Sequence, residues 1–190
     1  MRRMLLAYLI PGITQYLISS GNIAVPIAAW LAPVCLLRFS RASAPATGQA
    51  LLFGVILLAT YPMLYGIIPP FLGTLAFVLT AYYALLVYLP YLADRLVAPR
   101  LGAFTATLVF PCAATAVDYI AGVSLGTWNS AAYTQYADLP LVQLASVTGM
   151  WGITFLIFWT AAVVNWAWDR KFEPRRVTAG VLAWAAVLGA

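Results

Sequence analysis

The sequence predicts an all-α fold, a polytopic transmembrane helix bundle of about seven spans with a cytoplasmic N-terminus. Three observations lead there. Of 190 residues, 64% are hydrophobic and 8% charged, against roughly 25% charged in an average soluble domain. Mean hydropathy is +0.93. The 10 basic residues fall only between alternate apolar runs. So few charged side chains cannot cover the surface of a soluble fold of this size. That excludes an ordinary globular enzyme, a disordered tail and a nucleic-acid-binding domain. The net charge of +5 therefore reads as membrane topology rather than as affinity for nucleic acid.

A spanning helix needs about 20 predominantly apolar residues, and seven runs meet or approach that length. The first covers 4–20, behind Arg2 and Arg3, with Pro11 and Gly12 inside it. No small-residue cleavage site separates it from the next run, so it reads as a retained span rather than a signal peptide. The second, 23–37, is short and holds Pro26 and Pro33. The third and fourth cover 50–68 and 71–93, the fifth 103–123 and the sixth 144–168. Proline and glycine inside such runs are tolerated because neighbouring helices in a bundle satisfy the freed backbone groups. The last run starts at Val177 and gives 14 residues up to Ala190, about 21 Å of helix. The hydrocarbon core is about 30 Å thick, so this span is expected to be truncated and the chain to be a fragment.

Charge orients the runs. Arg2 and Arg3 precede the first; Arg38 and Arg41 follow the second, Arg95 and Arg100 the fourth, and Arg170, Lys171, Arg175 and Arg176 the sixth. The other connections carry no Lys or Arg. All basic residues thus share one side, which the positive-inside rule makes cytoplasmic.

Chemistry is sparse. The chain has no histidine, which removes Ser-His-Asp, Cys-His and His-metal mechanisms from it. Cys35 and Cys112 lie in apolar runs without CxxC spacing, so they read as small buried hydrophobes, and no metal or cofactor site is expected. The informative stretch is 118–152, which holds Asp118 at the outer end of the fifth run and a polar outer loop over 124–143. The loop contains Trp128, Asn129, Tyr133, Gln135 and Tyr136, then Asp138, Pro140 and Gln143. A connection of this length is longer than a simple turn requires. Asp118 has two readings: a wet, ionised headgroup-level acid, or a buried acid that organises a site. The loop aromatics likewise read either as interfacial belt residues or as a lipid or peptide contact surface. Gly122, Gly149 and Gly152 are expected to permit close helix packing, and Asn165 to bond between helices.

The run Gly126 to Gln135, then Pro140-Leu141-Val142-Gln143-Leu144-Ala145, then Gly149-Met150-Trp151-Gly152-Ile153-Thr154-Phe155-Leu156 resembles the apolipoprotein N-acyltransferase family. That family shows a G-Y-S-Q-like element, P-L-x-Q-L-A and G-x-x-G-x-S-F-L. Asp118 and Gly122 are similar to its acid and glycine four apart. Pro26 to Pro33 resembles its second span, and Gly48 to Gly54 the opening of its third. The chain departs from the pattern at Ala121, where the family usually has arginine, at Gly126-Thr127-Trp128, where it has F-P-W, and at Tyr65, where a tryptophan is common.

The resemblance implies a multi-pass protein of the bacterial inner membrane. It implies a phospholipid acyl donor, a lipoprotein acceptor acylated on its N-terminal cysteine, and surrounding membrane lipids, with no nucleic acid. It places the chemistry in a nitrilase-like domain with a Glu-Lys-Cys triad, expected after residue 190, so no catalytic residue is expected in this chain. Substrate and lipid contacts are expected at Asp118, Trp128, Asn129, Tyr133, Gln135 and Tyr136. A transporter or lipid-handling protein, or a non-catalytic structural membrane subunit, is the alternative. Little beyond Gln15 and hydroxyls in the first, third and fourth runs offers ion coupling.

Overall fold

The computed structural model of the chain describes residues 2–19, 25–65, 73–102, 104–127 and 130–189. Among these every regular element is a helix and there is no strand, and the helices assemble as a membrane-type bundle. In α1, residues 2–19, the helical pieces Arg2–Met4 and Ile10–Ser19 flank a π turn at Leu5–Leu9. Pro11 causes the slip: it has no N–H to return to the preceding turn, and the Ile10 N–H instead reaches the Leu5 carbonyl. The second helix, α2 (Pro26–Ala42), starts with proline in its first turn and ends at extended Ser43. It runs beyond the predicted 37 because Arg38 and Arg41 continue the helix. Cations near a helix C-terminus suit the macrodipole.

Next come α3 (Thr47–Tyr65) and α4 (Thr74–Val97), the latter closed by a 3-10 turn Ala98–Arg100. A 3-10 turn Thr105–Leu108 leads into α5 (Val109–Leu125). The stretch expected as a loop is partly helical. It holds a 3-10 turn Ala131–Gln135 and two short helices, α6 (Leu139–Gln143) and α7 (Ala145–Thr148). The sixth predicted span therefore begins at Met150 rather than 144, as α8 (Met150–Asp169). Gly149 makes the break: φ 64° and ψ −177° is backbone that residues with a Cβ avoid. The last helix is α9 (Pro174–Leu188).

Four of these helices are long and apolar enough to cross a membrane: residues 47–64, 74–100, 105–124 and 150–169. The shorter runs expected as spans, in α1, α2 and α9, are helical as well. The centre is α8, 61% buried inside the bundle against 22% for the α5 span. Leu36, Leu37, Phe39, Leu52, Ile56, Phe110 and Ala161 form the main core between α2, α3, α5 and α8. Around the perimeter Leu58, Phe77, Val78, Ile120, Val123 and Leu182 are exposed. Exposed large apolar side chains on four helices suit a lipid-facing perimeter, since lipid tails cover them without cost.

One end of the bundle gathers charge. Arg41 makes two bonds to Asp94, Nε–Oδ2 at 2.8 Å and Nη2–Oδ1 at 2.7 Å, and Arg38 pairs with Asp169. Arg95 donates to the Ser40 carbonyl and to those of Arg41 at 2.8 Å and Ser43 at 2.9 Å. It thereby caps α2. Basic residues that follow different apolar runs in sequence thus meet in space. Asn165, one turn deeper on α8, donates to the Val34 carbonyl at 3.0 Å across the α2–α8 interface.

Candidate functional site

The opposite end of the bundle carries the polar stretch. On α5, Asp118 lies seven residues before Leu125, about 10 Å below the helix end. It is half-buried, inside the bundle rather than at its rim. Its Oδ2 accepts from Ser130 Oγ at 2.6 Å and from Thr154 Oγ1 at 2.8 Å. The two hydroxyls are 3.2 Å apart. Ser130 also caps the 3-10 turn, its Oγ accepting from the Ala132 N–H at 3.3 Å. One carboxylate oxygen thus ties together α5, α8 and the turn. Ser130 and Thr154 are 5% and 1% exposed, so the carboxylate is the principal acceptor within reach of both hydroxyls.

A second latch holds the same turn to α2. Gln135, buried at 3% exposure, donates from Nε2 to the Pro26 carbonyl at 3.1 Å and to Thr134 Oγ1 at 2.7 Å. Its Oε1 accepts from Trp30 Nε1 at 3.1 Å. Both donors and the acceptor of the amide are therefore used. Substituting Gln135 with leucine is expected to strand the Trp30 N–H and the Pro26 side of the latch, costing about 1–3 kcal/mol. Amide hydrogen exchange across Ala131–Gln135 should rise. Unchanged protection there would mean that the Asp118 latch suffices alone.

Of the other predicted site residues, Tyr133 shares a cavity wall with Asp118 and Tyr136 does not. Tyr133 is exposed, and its hydroxyl lies 2.8 Å from Thr127 Oγ1. Tyr136 is more exposed still. Trp128 and Asn129 lie outside the described residues. Gly122 sits under Trp151: a Cβ there would stand 2.9 Å from the indole and 3.0 Å from Thr127. At Gly152 a Cβ would strike Thr148 Oγ1 at 2.0 Å, while Gly149 serves the turn into α8.

Beneath the 3-10 turn lies a cavity of about 250 Å³ with walls from α1, α2, α4, α5 and α8. Its upper wall is polar, with Asp118, Ser130, Tyr133, Thr134 and Thr154. Its lower wall is mostly apolar, with Leu86, Val87, Pro90, Ala114 and Phe158, interrupted by the rings of Tyr16, Tyr83 and Tyr91. No Lys or Arg is among the lining residues, and neither Cys35 nor Cys112 is one of them. The arrangement can bind and orient an amphiphile, with its polar part at Asp118 and its apolar part below.

Sequence reading passed over three residues that build the site: Trp30, Ser130 and Thr154. Each lies within a quoted motif, but their roles depend on contacts across 105, 12 and 36 positions of the chain.

Two comparisons with known proteins bear on this geometry. The family model described as the apolipoprotein N-acyltransferase N-terminal domain matches residues 14–163. That range contains α2 to α7, both latches and every residue described as lining the cavity. An apolipoprotein N-acyltransferase from Geobacter metallireducens is 57% identical over 30 residues, a stretch covering 16% of this chain and 6% of that protein. The match over 14–163 takes in most of the chain, and it encloses the acid, the latched turn and the helix that receives them. The chain belongs to the family of apolipoprotein N-acyltransferase N-terminal domains.

Proposed function

We propose that this bundle is the membrane-embedded part of a phospholipid-dependent apolipoprotein N-acyltransferase. Such an enzyme transfers an acyl chain to the N-terminal cysteine of lipoproteins during their maturation. The observation that carries the proposal is the amphiphilic cavity beneath a turn latched at both Asp118 and Gln135. The family name of the matched domain agrees with it. The bundle sits in the bacterial cytoplasmic membrane with seven spans, its basic end inside and the latched turn at the outer leaflet. The phospholipid donor and the lipoprotein acceptor approach there, and their acyl chains enter between helices. The reacting groups belong to a nitrilase-like domain after residue 190. The bundle lowers the entropic part of the barrier by holding lipid and acceptor in place, without supplying a reacting atom.

The test is complementation. The whole gene product containing these residues is expressed in a bacterium depleted of its own apolipoprotein N-acyltransferase. Lipoproteins recovered from those cells are expected to carry an amide-linked third acyl chain by mass spectrometry. Lipoproteins that stay diacylated, with the protein present in the membrane fraction, would rule the assignment out.

A further inference from the structure

Aromatic rings wall the lower part of the cavity. Tyr83 and Tyr91 both line it on α4, and eight residues, about 12 Å of helix, separate them. Tyr91, Phe110 and Phe158 meet at its lower end. The Tyr91 and Phe110 rings are 5.0 Å apart and the Phe110 and Phe158 rings 5.4 Å. Tyr91 and Phe158 face the cavity, while Phe110 is fully buried behind them. The three rings come from α4, α5 and α8 and belong to or pack against the main core with Leu36, Leu37 and Leu52. A plate fixed on three helices and backed by a packed core does not yield cheaply, because overpacking costs about 1–3 kcal/mol.

We propose that the lower cavity seats a single acyl chain and that the Tyr91–Phe110–Phe158 plate sets the longest chain it admits. This rests on the lipid-handling function proposed above and adds its specificity. A peptide segment is a poor occupant of the lower wall, since each of its backbone groups would need a partner there. Leu86, Val87, Pro90, Ala114 and Phe158 supply none from their side chains, and the hydroxyls of Tyr16, Tyr83 and Tyr91 are too few for a peptide's repeating groups. A hydrocarbon tail needs none. Its ester or amide end would remain level with the Asp118, Ser130 and Thr154 cluster.

The lever for a test is Ala114, which lines the cavity one helical turn above Phe110 on α5. A ring at 114 would raise the floor by about 6 Å. An extended chain advances about 1.25 Å per carbon, from bonds of about 1.5 Å and tetrahedral angles. Ala114→Phe should therefore shorten the longest admitted chain by about five carbons. Phe158→Leu lowers the floor and should lengthen it by one or two, about the reach of the lost ring edge.

The whole protein in lipid nanodiscs is offered a homologous series of lysophospholipids with one headgroup and increasing acyl length, and bound lipid is read by native mass spectrometry. Binding to the unmodified protein should rise with length and then fall at a cutoff. The cutoff should move down in Ala114→Phe and up in Phe158→Leu, in whichever variant keeps its thermal unfolding transition. A cutoff that stays put in a folded variant, or binding without length dependence, overturns the proposal. Lipoprotein N-acylation is measured in parallel. Its absence in the unmodified protein sinks the acyltransferase function, while the binding cutoff still decides the floor.

Discussion

Replacing Asp118 with alanine is expected to lower stability by about 2–4 kcal/mol, from buried hydroxyls left without an acceptor. The two hydroxyls it accepts from, Ser130 and Thr154, are both buried. They stand 3.2 Å apart, so after the substitution they can bond to one another, and the loss is smaller than two independent penalties. Asp118→Asn keeps one carbonyl oxygen as acceptor and should cost about 1 kcal/mol. The local consequence is larger than the global one. Ser130 loses the bond that holds the 3-10 turn to α5, so exchange of the Ala132 and Tyr133 amides should accelerate, while the charged end of the bundle stays protected. Under the proposed function, lipoprotein N-acylation should fall about 10–100-fold in Asp118→Ala, the scale of an ångström-level misplacement of bound groups. It should be largely retained in Asp118→Asn. Equal losses in the two variants would show that charge, and not the acceptor geometry, is what the site needs from this residue.

Much of this was legible from the chain because membrane burial leaves a coarse imprint. The apolar runs and the one-sided basic residues mark helices and their shared end without any knowledge of packing. The stretch from Asp118 to Gly152 stood out for the same reason: polar side chains are costly near lipid, so their clustering is informative. What stayed hidden is set by pairings distant in sequence. Nothing local in Trp30 indicates that its N–H meets Gln135, and nothing in Asp94 indicates that Arg41 faces it. Helix ends were misplaced where hydropathy and geometry diverge. Counting apolar residues stops α2 at Leu37, whereas its last turn continues through Arg38 and Arg41 because acids on α4 and α8 receive them. At the start of α8 the reverse holds: Leu144 to Thr148 is apolar enough to extend a span, but the backbone at Gly149 ends that turn and begins another helix.

Removing Arg41 should be the most damaging single change at the charged end. Asp94 is 1% exposed and its carboxylate takes both of its ion-pair bonds from Arg41. Taking the charge away from one side of a buried pair costs about 3–5 kcal/mol, because the remaining ion is left in low dielectric without a partner. The two partners are not equivalent. Arg41 is 20% exposed on its side chain and already lies 4.0 Å from Asp169, so in Asp94→Ala the guanidinium has somewhere to turn. Arg41→Ala should therefore be clearly worse than Asp94→Ala, and each should exceed Asp169→Ala, whose carboxylate is 49% exposed and whose pairing is worth about 0–1 kcal/mol. The double variant Arg41→Met with Asp94→Leu removes both ions and fills the space, and it should recover most of the loss. Denaturant or thermal unfolding of the single variants Arg41→Met and Asp94→Leu, the double variant and the unmodified protein in one detergent gives the cycle. If the double variant is as unstable as the sum of the singles, the pair is not coupled. The anchoring of α2 would then fall to Arg95, which caps it through the carbonyls of Ser40, Arg41 and Ser43.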